Sequence, residues 1–404
     1  MNLSAKNWPI SLDWLPQATY LVGGTVRDAL LNRKKDTIDL DFVLPQLALE
    51  TAKRIAKHYK AGFVILDEDR RIARVVLKGA TIDFAEQEGG SLEKDLRRRD
   101  FTVNAIAYNP HTQECIDPLQ GLKDLEQKVM RMISRENLAD DPLRLLRAYR
   151  IAAQLNFTIE PNTRSTIRKL APLIAEVAAE RVRTELNYLL SIPLGTKLIA
   201  AALEDNLLTI WLKNATQEKV EKLAKIDEAA EWMAENWEEF KNKSTEWYSL
   251  AKLATLVSQR ALKAEVELEE LKYSRTEIKI VTTAIKNFSK LIKPDLMTLR
   301  EQYFFFLEVG EVLPILAILA IANGSEKEKI KPIINRYLDP NDQVAHPQPL
   351  VTGNDLIESL KIERGPIIGQ LLTEIQIARI EGKIATREEA INYAQSNLLK
   401  TQKS

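Results

Sequence analysis

Up to about residue 115, apolar residues come in short runs with polar or glycine-containing breaks between them. Residues 38–43, 62–66, 73–77 and 81–85 are rich in valine, isoleucine, phenylalanine and threonine, and each is expected to form a strand. Residues 47–59 place their apolar positions at helical spacing between two of these strands. From about Leu119 the rhythm changes to helical periods. Leu143, Leu146, Ile151 and Leu155 mark an apolar helix face set between basic positions. Pro161, Pro172 and Pro193 punctuate the helices that follow. Residues 200–340 read as helices and inform only on packing. Gly324-Ser-Glu and the proline-rich stretch 339–349 read as connectors, and a last helical unit runs from about Val351. The expected class is α+β: an N-terminal head with a small mixed sheet and helices, then an all-helical remainder.

Composition narrows the function classes. With 404 residues the chain is long enough for several cores, and 45% hydrophobic and 28% charged residues are ordinary for a globular protein. Cys115 is the single cysteine, so no internal disulfide can form. The opening residues lack the charged-then-apolar plan of a signal peptide, and the longest apolar run, 312–322 around Pro314, is short for a bilayer. A cytoplasmic location is expected. Lys+Arg and Asp+Glu both number 57, so global charge gives no support to a polyanionic partner. Local charge does: Lys94, Arg97, Arg98 and Arg99 cluster, and Arg144, Arg147 and Arg150 recur every third residue. Most such runs are solvated helix faces; these lie beside other chemistry-bearing motifs.

Four constellations carry that chemistry. In the first, Tyr20-Leu-Val-Gly-Gly-Thr-Val-Arg-Asp28, a short apolar run stops at Gly23 and Gly24, where bare backbone N–H groups can approach an anion. Arg27 offers a guanidinium fork suited to phosphate. Asp39 and Asp41 follow on an expected strand, two apart and hence on one face. Paired carboxylates repel unless a divalent cation lies between them. There is no Walker A lysine and no Gly-x-Gly-x-x-Gly, so kinase and dehydrogenase readings lose their support. The second constellation is Arg98-Arg99-Asp100-Phe101-Thr-Val-Asn104-Ala105, equally readable as a charged turn before a buried segment. The third is Asp140-Asp141-Pro142-Leu-Arg144, where either aspartate suits a helix N-cap and Pro142 its first turn. Asp141 and Arg144 would share a face, offering an acceptor and a donor fork to one base edge. In the fourth, Glu180-Arg181-x-x-x-Glu185, Arg181 and Glu185 are spaced for an intrahelical ion pair or for a brace on the base-reading helix. His58, His111, His346 and Cys115 stand alone and read as structural; Trp232, Trp237 and Trp247 sit among acidic residues and read as helix packing.

Taken together, these motifs resemble the class II tRNA nucleotidyltransferases, the CCA-adding enzymes and their bacterial poly(A) polymerase relatives. The resemblance rests on Leu21-Val-Gly-Gly-Thr-Val-Arg-Asp-Ala-Leu30 with Asp39-Leu-Asp41, then Arg98–Ala105, Asp117-Pro-Leu-Gln-Gly-Leu-Lys-Asp-Leu125, Asp140–Arg144 and Glu180–Glu185, in that order, over residues 19–190. It implies a curved, elongated molecule with a five-stranded head sheet: nucleotidyltransferase head 1–115, nucleotide-selecting neck 116–190, tRNA-binding body 191–340 and tRNA-anchoring tail 341–404. It implies Asp39 and Asp41 as catalytic ligands of two Mg²⁺ ions, with Asp83 as a further carboxylate. Gly23, Gly24 and Arg27 would serve the triphosphate, Arg99, Asp100 and Asn104 would hold the nucleotide, Asp141 and Arg144 would select its base, and Arg181 and Glu185 would support the site. The implied partners are the acceptor arm and 3′ end of tRNA, with CTP and ATP. One departure bears on specificity. The loop before Arg98-Arg99-Asp100, which members adding the terminal A carry long, is reduced here to a short Glu86-Gln-Glu-Gly-Gly-Ser stretch, pointing to CC addition. Full CCA addition, A addition, poly(A) addition and a non-catalytic RNA-binding role are the alternatives.

Overall fold

The computed structural model describes residues 3–33, 37–193, 195–241 and 244–401. They form two compact units, Met1–Ile210 and Trp211–Ser404. The first runs β1 (Tyr20–Leu21), α1 (Gly24–Leu30), β2 (Ile38–Leu44), α2 (Ala48–Tyr59), β3 (Gly62–Asp67), β4 (Ile72–Leu77), β5 (Ala80–Glu86), α3 (Leu92–Arg97), β6 (Ala107–Asn109) and β7 (Glu114–Ile116). It continues with α4 (Gly121–Gln127), β8 (Val129–Met130), α5 (Arg135–Asp140), α6 (Leu143–Leu155), β9 (Thr158–Ile159), α7 (Pro161–Leu170), α8 (Ala179–Leu190) and α9 (Gly195–Glu204).

The main sheet has seven strands in the order β3-β4-β5-β2-β1-β6-β7. β2 and β5 pair in parallel and every other pair is antiparallel, so the sheet is mixed, as expected. The four long strands lie where the alternation placed them. The five-strand expectation is corrected to seven, because β1, β6 and β7 are only two or three residues long and too short to show a period. The helical stretch that follows is likewise not purely helical: β8 and β9 form a small parallel ladder, Val129 opposite Thr158 and Met130 opposite Ile159.

Alternation decides which face of the sheet meets the core. Leu40, Phe42 and Leu44 of β2, Ile82 and Phe84 of β5 and Val75 of β4 are buried with Ala48, Ala52 and Ile55 of α2, and Phe42 stacks on Phe84 with ring centroids 5.5 Å apart. Each such large side chain contributes about 1.5–3 kcal/mol by leaving water. The intervening residues of β2, Asp39 and Asp41, are thereby committed to the opposite face.

The second unit is helical: α10 (Gln217–Asn236), α11 (Glu238–Lys241), α12 (Ser244–Leu256), α13 (Ala261–Glu270), α14 (Arg275–Asn287), α15 (Leu299–Val309), α16 (Leu313–Ala322), α17 (Lys327–Leu338), α18 (Gly353–Leu360), α19 (Pro366–Ile380) and α20 (Arg387–Thr401). Helical turns run on through Leu299–Ala322, a stretch long and apolar enough by length and composition to cross a bilayer, although its continuous apolar run, 312–322, is short as expected. It is the core of this unit: 61% of its most apolar window is buried, α16 packs against α10, α12, α14 and α17, and Gly310 at φ 46° breaks its line. Trp232–Trp237 and Phe240–Trp247 form edge-to-face contacts with ring centroids 5.3 Å apart, and Trp237 and Phe240 are tilted at 5.9 Å, the packing role expected of the tryptophans.

Candidate active site

The glycine turn is sewn to the carboxylate strand by backbone pairing. Tyr20 lies opposite Val43 and Leu21 opposite Phe42, and the Val22 N–H donates to the Asp41 carbonyl at 2.9 Å. Gly23 then takes φ 76°, ψ −146°, a conformation open to glycine, and starts α1. A Cβ at Gly23 would stand 3.5 Å from both Asp41 Oδ2 and Arg99 Nη1, so the turn, one carboxylate and one guanidinium converge. Parallel register sets Asp39 beside Thr81 and Asp41 beside Asp83. Thr81 Oγ1 donates to Asp39 Oδ1 at 2.6 Å, and Thr25 Oγ1 donates to the Asp39 carbonyl at 2.5 Å. The two carboxylates thus share one half-buried face, with hard oxygen donors suited to Mg²⁺.

The Arg98–Ala105 segment folds over this turn. Asp100 is buried; its Oδ1 accepts from the Phe101 N–H at 2.8 Å and from Asn104 Nδ2 at 3.0 Å, and Arg147 Nε lies 3.2 Å from its Oδ2. Burial alone pushes the Asp100 carboxyl up, but Arg147, Asn104, the Phe101 N–H and Arg144 together hold it below the usual carboxylate range. Arg99 Nη2 donates to Asp95 at 3.0 Å, while Arg99 Nε is buried with no hydrogen-bond partner. The turn also depends on Gly121, where a Cβ would stand 2.2 Å from the Thr102 carbonyl oxygen, and on Thr102 Oγ1 donating to Asp124 at 2.6 Å.

The α6 arginines form a ladder. Arg144 Nη1 donates to the Asn137 carbonyl at 2.8 Å and the Arg98 carbonyl at 3.2 Å, with its Nε 4.0 Å from Asp141. Arg147 reaches Asp100, and Arg150 donates from Nε to Glu185. Arg181 of α8 donates to Asp141 at 3.0 Å. A cavity of about 500 Å³ opens between these groups, lined by Arg70, Glu88, Asp95, Arg98, Arg99, Asp140, Asp141, Arg144 and Arg181. Its size and polar lining suit a nucleotide base and its phosphates.

Three expectations change, and of the two readings left open for Arg181 and Glu185 the intrahelical ion pair falls. Arg27 is buried rather than offered to phosphate: Nε and Nη2 donate to Asp28 at 2.9 and 2.7 Å, and Nη1 donates to Asn104 Oδ1 at 2.7 Å. Asp83 shares the carboxylate face, yet Arg74 grips it with two bonds of 2.7 and 2.8 Å, and no group of three metal-binding side chains occurs among the described residues. Neither Asp140 nor Asp141 caps α6 through its side chain; Asp140 ends α5, and the Asp141 carboxylate turns to Arg181. Arg181 and Glu185 do not pair with each other but each ties α8 back, to Asp141 and to Arg150. The reading missed Thr81, Asp95, Arg70, Glu88 and Asn137, whose Nδ2 donates at 2.7 Å to the carbonyls of both Arg97 and Arg99. No motif marks them. Arg147 did carry a signal, its place in the three-residue arginine spacing. The isolated histidines are structural: His58 stacks on Trp14, His111 Nε2 lies 3.1 Å from the Leu15 and Pro16 carbonyls, and His346 Nε2 lies 2.6 Å from the Tyr337 carbonyl. Partial desolvation and the nearby Asp117 push the thiol of the exposed Cys115 up, away from nucleophilic use.

Known proteins place this geometry. Residues 19–131 match the Poly A polymerase head domain, 156–219 the probable RNA and SrmB-binding site of polymerase A, and 238–394 a putative tRNA nucleotidyltransferase domain 2. The CC-adding tRNA nucleotidyltransferase of Synechocystis sp. is 48% identical over 96% of this chain and 95% of that protein. The CC-adding enzyme of Geobacter sulfurreducens is 31% identical over 95% of this chain and 92% of its own length. Among solved structures, the Thermotoga maritima CCA-adding enzyme complexed with tRNA is 25% identical with a TM-score of 0.72, covering 94% of this chain and 91% of that one. A CCA-adding enzyme with CTP is 26% identical with a TM-score of 0.72, over 95% and 90% of the two chains. With a glycine turn, a carboxylate strand and an arginine-lined cavity, and relatives of 48% and 31% identity matched along nearly its whole length, this protein belongs to the tRNA nucleotidyltransferase family of CC- and CCA-adding enzymes.

Proposed function

We propose that this chain adds two CMP residues to the 3′ end of tRNA from CTP and stops before the terminal A. The observation that carries the reading is the short connection between β5 and α3. Residues 87–91 are tied down: the Glu88 N–H donates to Asp95 Oδ1 at 3.2 Å, Glu88 pairs with Arg98, and the Ser91 hydroxyl caps α3. A connection held this way leaves little chain to re-shape the base pocket for a second nucleotide. The Synechocystis and Geobacter relatives carry the name CC-adding, which supports the same specificity.

Asp39 and Asp41 would hold two Mg²⁺ ions through their carboxylate oxygens, the hard donors this cation takes. When bound, such ions stabilise charge on the transferring phosphoryl group and favour ionisation of the attacking hydroxyl. The tRNA 3′-hydroxyl releases its proton to water, its oxygen bonds to the α-phosphorus of CTP, the bond from that phosphorus to the bridging oxygen breaks, and pyrophosphate leaves. Gly23, Gly24 and the guanidinium end of Arg99, whose Nη1 lies beside the glycine turn, meet the triphosphate, while Arg27 acts one step back by fixing Asn104. Asp100 and Asn104 hold the ribose side, Asp141 and Arg144 read the base edge, and Arg181 and Glu185 fix the helix that carries them. The head, neck, body and tail divide at about residues 115, 190 and 340; the body and tail hold the acceptor arm by shape and phosphate contacts, and the enzyme works in the cytoplasm.

The deciding experiment incubates tRNA lacking its CCA end with CTP, then with CTP plus ATP, and sequences the product ends. Termination at CC in both is expected; efficient CCA ends overturn CC specificity. Arg144→Ala is expected to relax discrimination among the four triphosphates by about 1–3 kcal/mol, the range of one good two-bond base contact. Unchanged selectivity removes Arg144 from base reading.

A further inference from the structure

The two edges of the head sheet differ. β7 is three residues long and begins with Glu114, the kind of short, charged edge that resists further pairing. β3, at the opposite end, runs Gly62-Phe-Val-Ile-Leu-Asp67 with no proline and no charge before its last residue. Val64, Ile65 and Leu66 are 49%, 47% and 47% exposed, and Val76 on the adjoining β4 is 42% exposed. Successive residues of a strand point to opposite faces, so both faces of this edge are apolar. The outer backbone groups of such a strand are a ready template for another strand.

The flanks indicate which strand. Exposed Lys57 and Lys60 precede β3, while exposed Glu68 and Asp69 follow it. A strand basic at its start and acidic at its end complements its own reverse. We propose that two copies of this chain pair antiparallel through β3, about a two-fold axis at Val64, joining two head sheets into one. That register sets Val64 against Val64 and Phe63 against Ile65; beyond the register shift that follows Ile65, it carries the basic flank of each strand, Lys57 and Lys60, towards the acidic flank of the other, Glu68 and Asp69. One patch meeting itself is the commonest way to close a dimer. β4 and β5 separate β3 from β2, so both carboxylate strands stay uncovered. Val64 pairs with Arg74, Arg74 with Asp83 and Asp83 with Asp41, so Val64 lies on the carboxylate face, and the joined sheet presents both such faces on one side. The buried area is that of one strand edge, so association is reversible and concentration-dependent.

Sedimentation equilibrium of the full chain tests this. A reversible dimer at tens of micromolar is expected, and Val64→Lys, which sets two ammonium groups on the axis, shifts it to monomer with an unchanged far-ultraviolet dichroism spectrum. In a Cys115→Ser background, Val64→Cys is expected to form an intermolecular disulfide under mild oxidation, because opposed Cα atoms in an antiparallel pair lie about 4.5–5.5 Å apart, within disulfide reach. Lys60→Glu weakens the dimer and adding Glu68→Lys restores it. A chain that stays monomeric at these concentrations, or a dimer indifferent to Val64→Lys, overturns the proposal; a dimer that the charge swap does not restore overturns the antiparallel register.

Discussion

Asp39 and Asp41 hold their charge on a strand face, whereas Asp100, Asp141 and Glu185 hold theirs inside a lattice of arginines from α6 and α8. Asp39 takes a neutral hydrogen bond from Thr81. Asp100, Asp141 and Glu185 face Arg147, Arg181 and Arg150. The first arrangement gathers carboxylates on one strand face beside Arg74 and Arg99, and the second interleaves carboxylates with arginines along two helices. On the function proposed above, metal-bound chemistry belongs to the strand face and nucleotide positioning to the lattice, so substitutions in the two regions should fail in different ways.

The sharpest break is Asp39→Ala. Nucleotide incorporation is expected to fall more than about 100-fold, since even groups that only orient metal ligands account for about 10–100-fold. The melting temperature should hardly move, because no cationic partner is orphaned; a large drop in it would erase the contrast. Next is Thr81→Val, which removes the 2.6 Å bond to Asp39 without changing shape. The Mg²⁺ concentration for half-maximal activity should rise by about 10–100-fold, read from a metal titration of pyrophosphate release.

Arg147→Ala probes the lattice. It strands the buried Asp100 carboxylate, and denaturant unfolding should show a loss of about 1–3 kcal/mol. Adding Asp100→Asn should return part of it, since the stranded charge is gone; additive losses would mean the pair is not coupled. The smallest effect is at acid pH. Asp100 is held below the usual range as described. Asp205 is too: burial pushes it up, but Arg164, Tyr149 and Arg168 outweigh that. A carboxyl lowered by folding stabilises fully above its unfolded value, about 3.9, and that contribution is lost as pH falls through the folded values. Unfolding free energy should therefore decline below about pH 4, and the decline should be shallower in Asp100→Asn. Equal slopes would remove Asp100 from the acid response.

The legible parts of this protein were those whose physics is local. Alternation in residues 38–43 and 81–85 located two strands and set Asp39 and Asp41 on one face, because side-chain period follows from backbone geometry alone. Gly23 announced a turn because its φ of 76° suits a residue without a Cβ. The second unit was readable only as helices, since apolar periodicity reports burial and not the partner.

The sequence by itself determined the class, the paired carboxylates, the glycine turn and the succession of head and helices. Only tertiary structure decided which arginine meets which acid. Arg27, one residue from Asp28, folds inward to Asn104, and Asp141 takes Arg181 rather than an N–H of its own helix. The reason is range: backbone preferences act over a few residues, whereas a buried charge takes whichever opposite charge the packing of distant segments delivers, and that choice exists only once β2, α6 and α8 are in place.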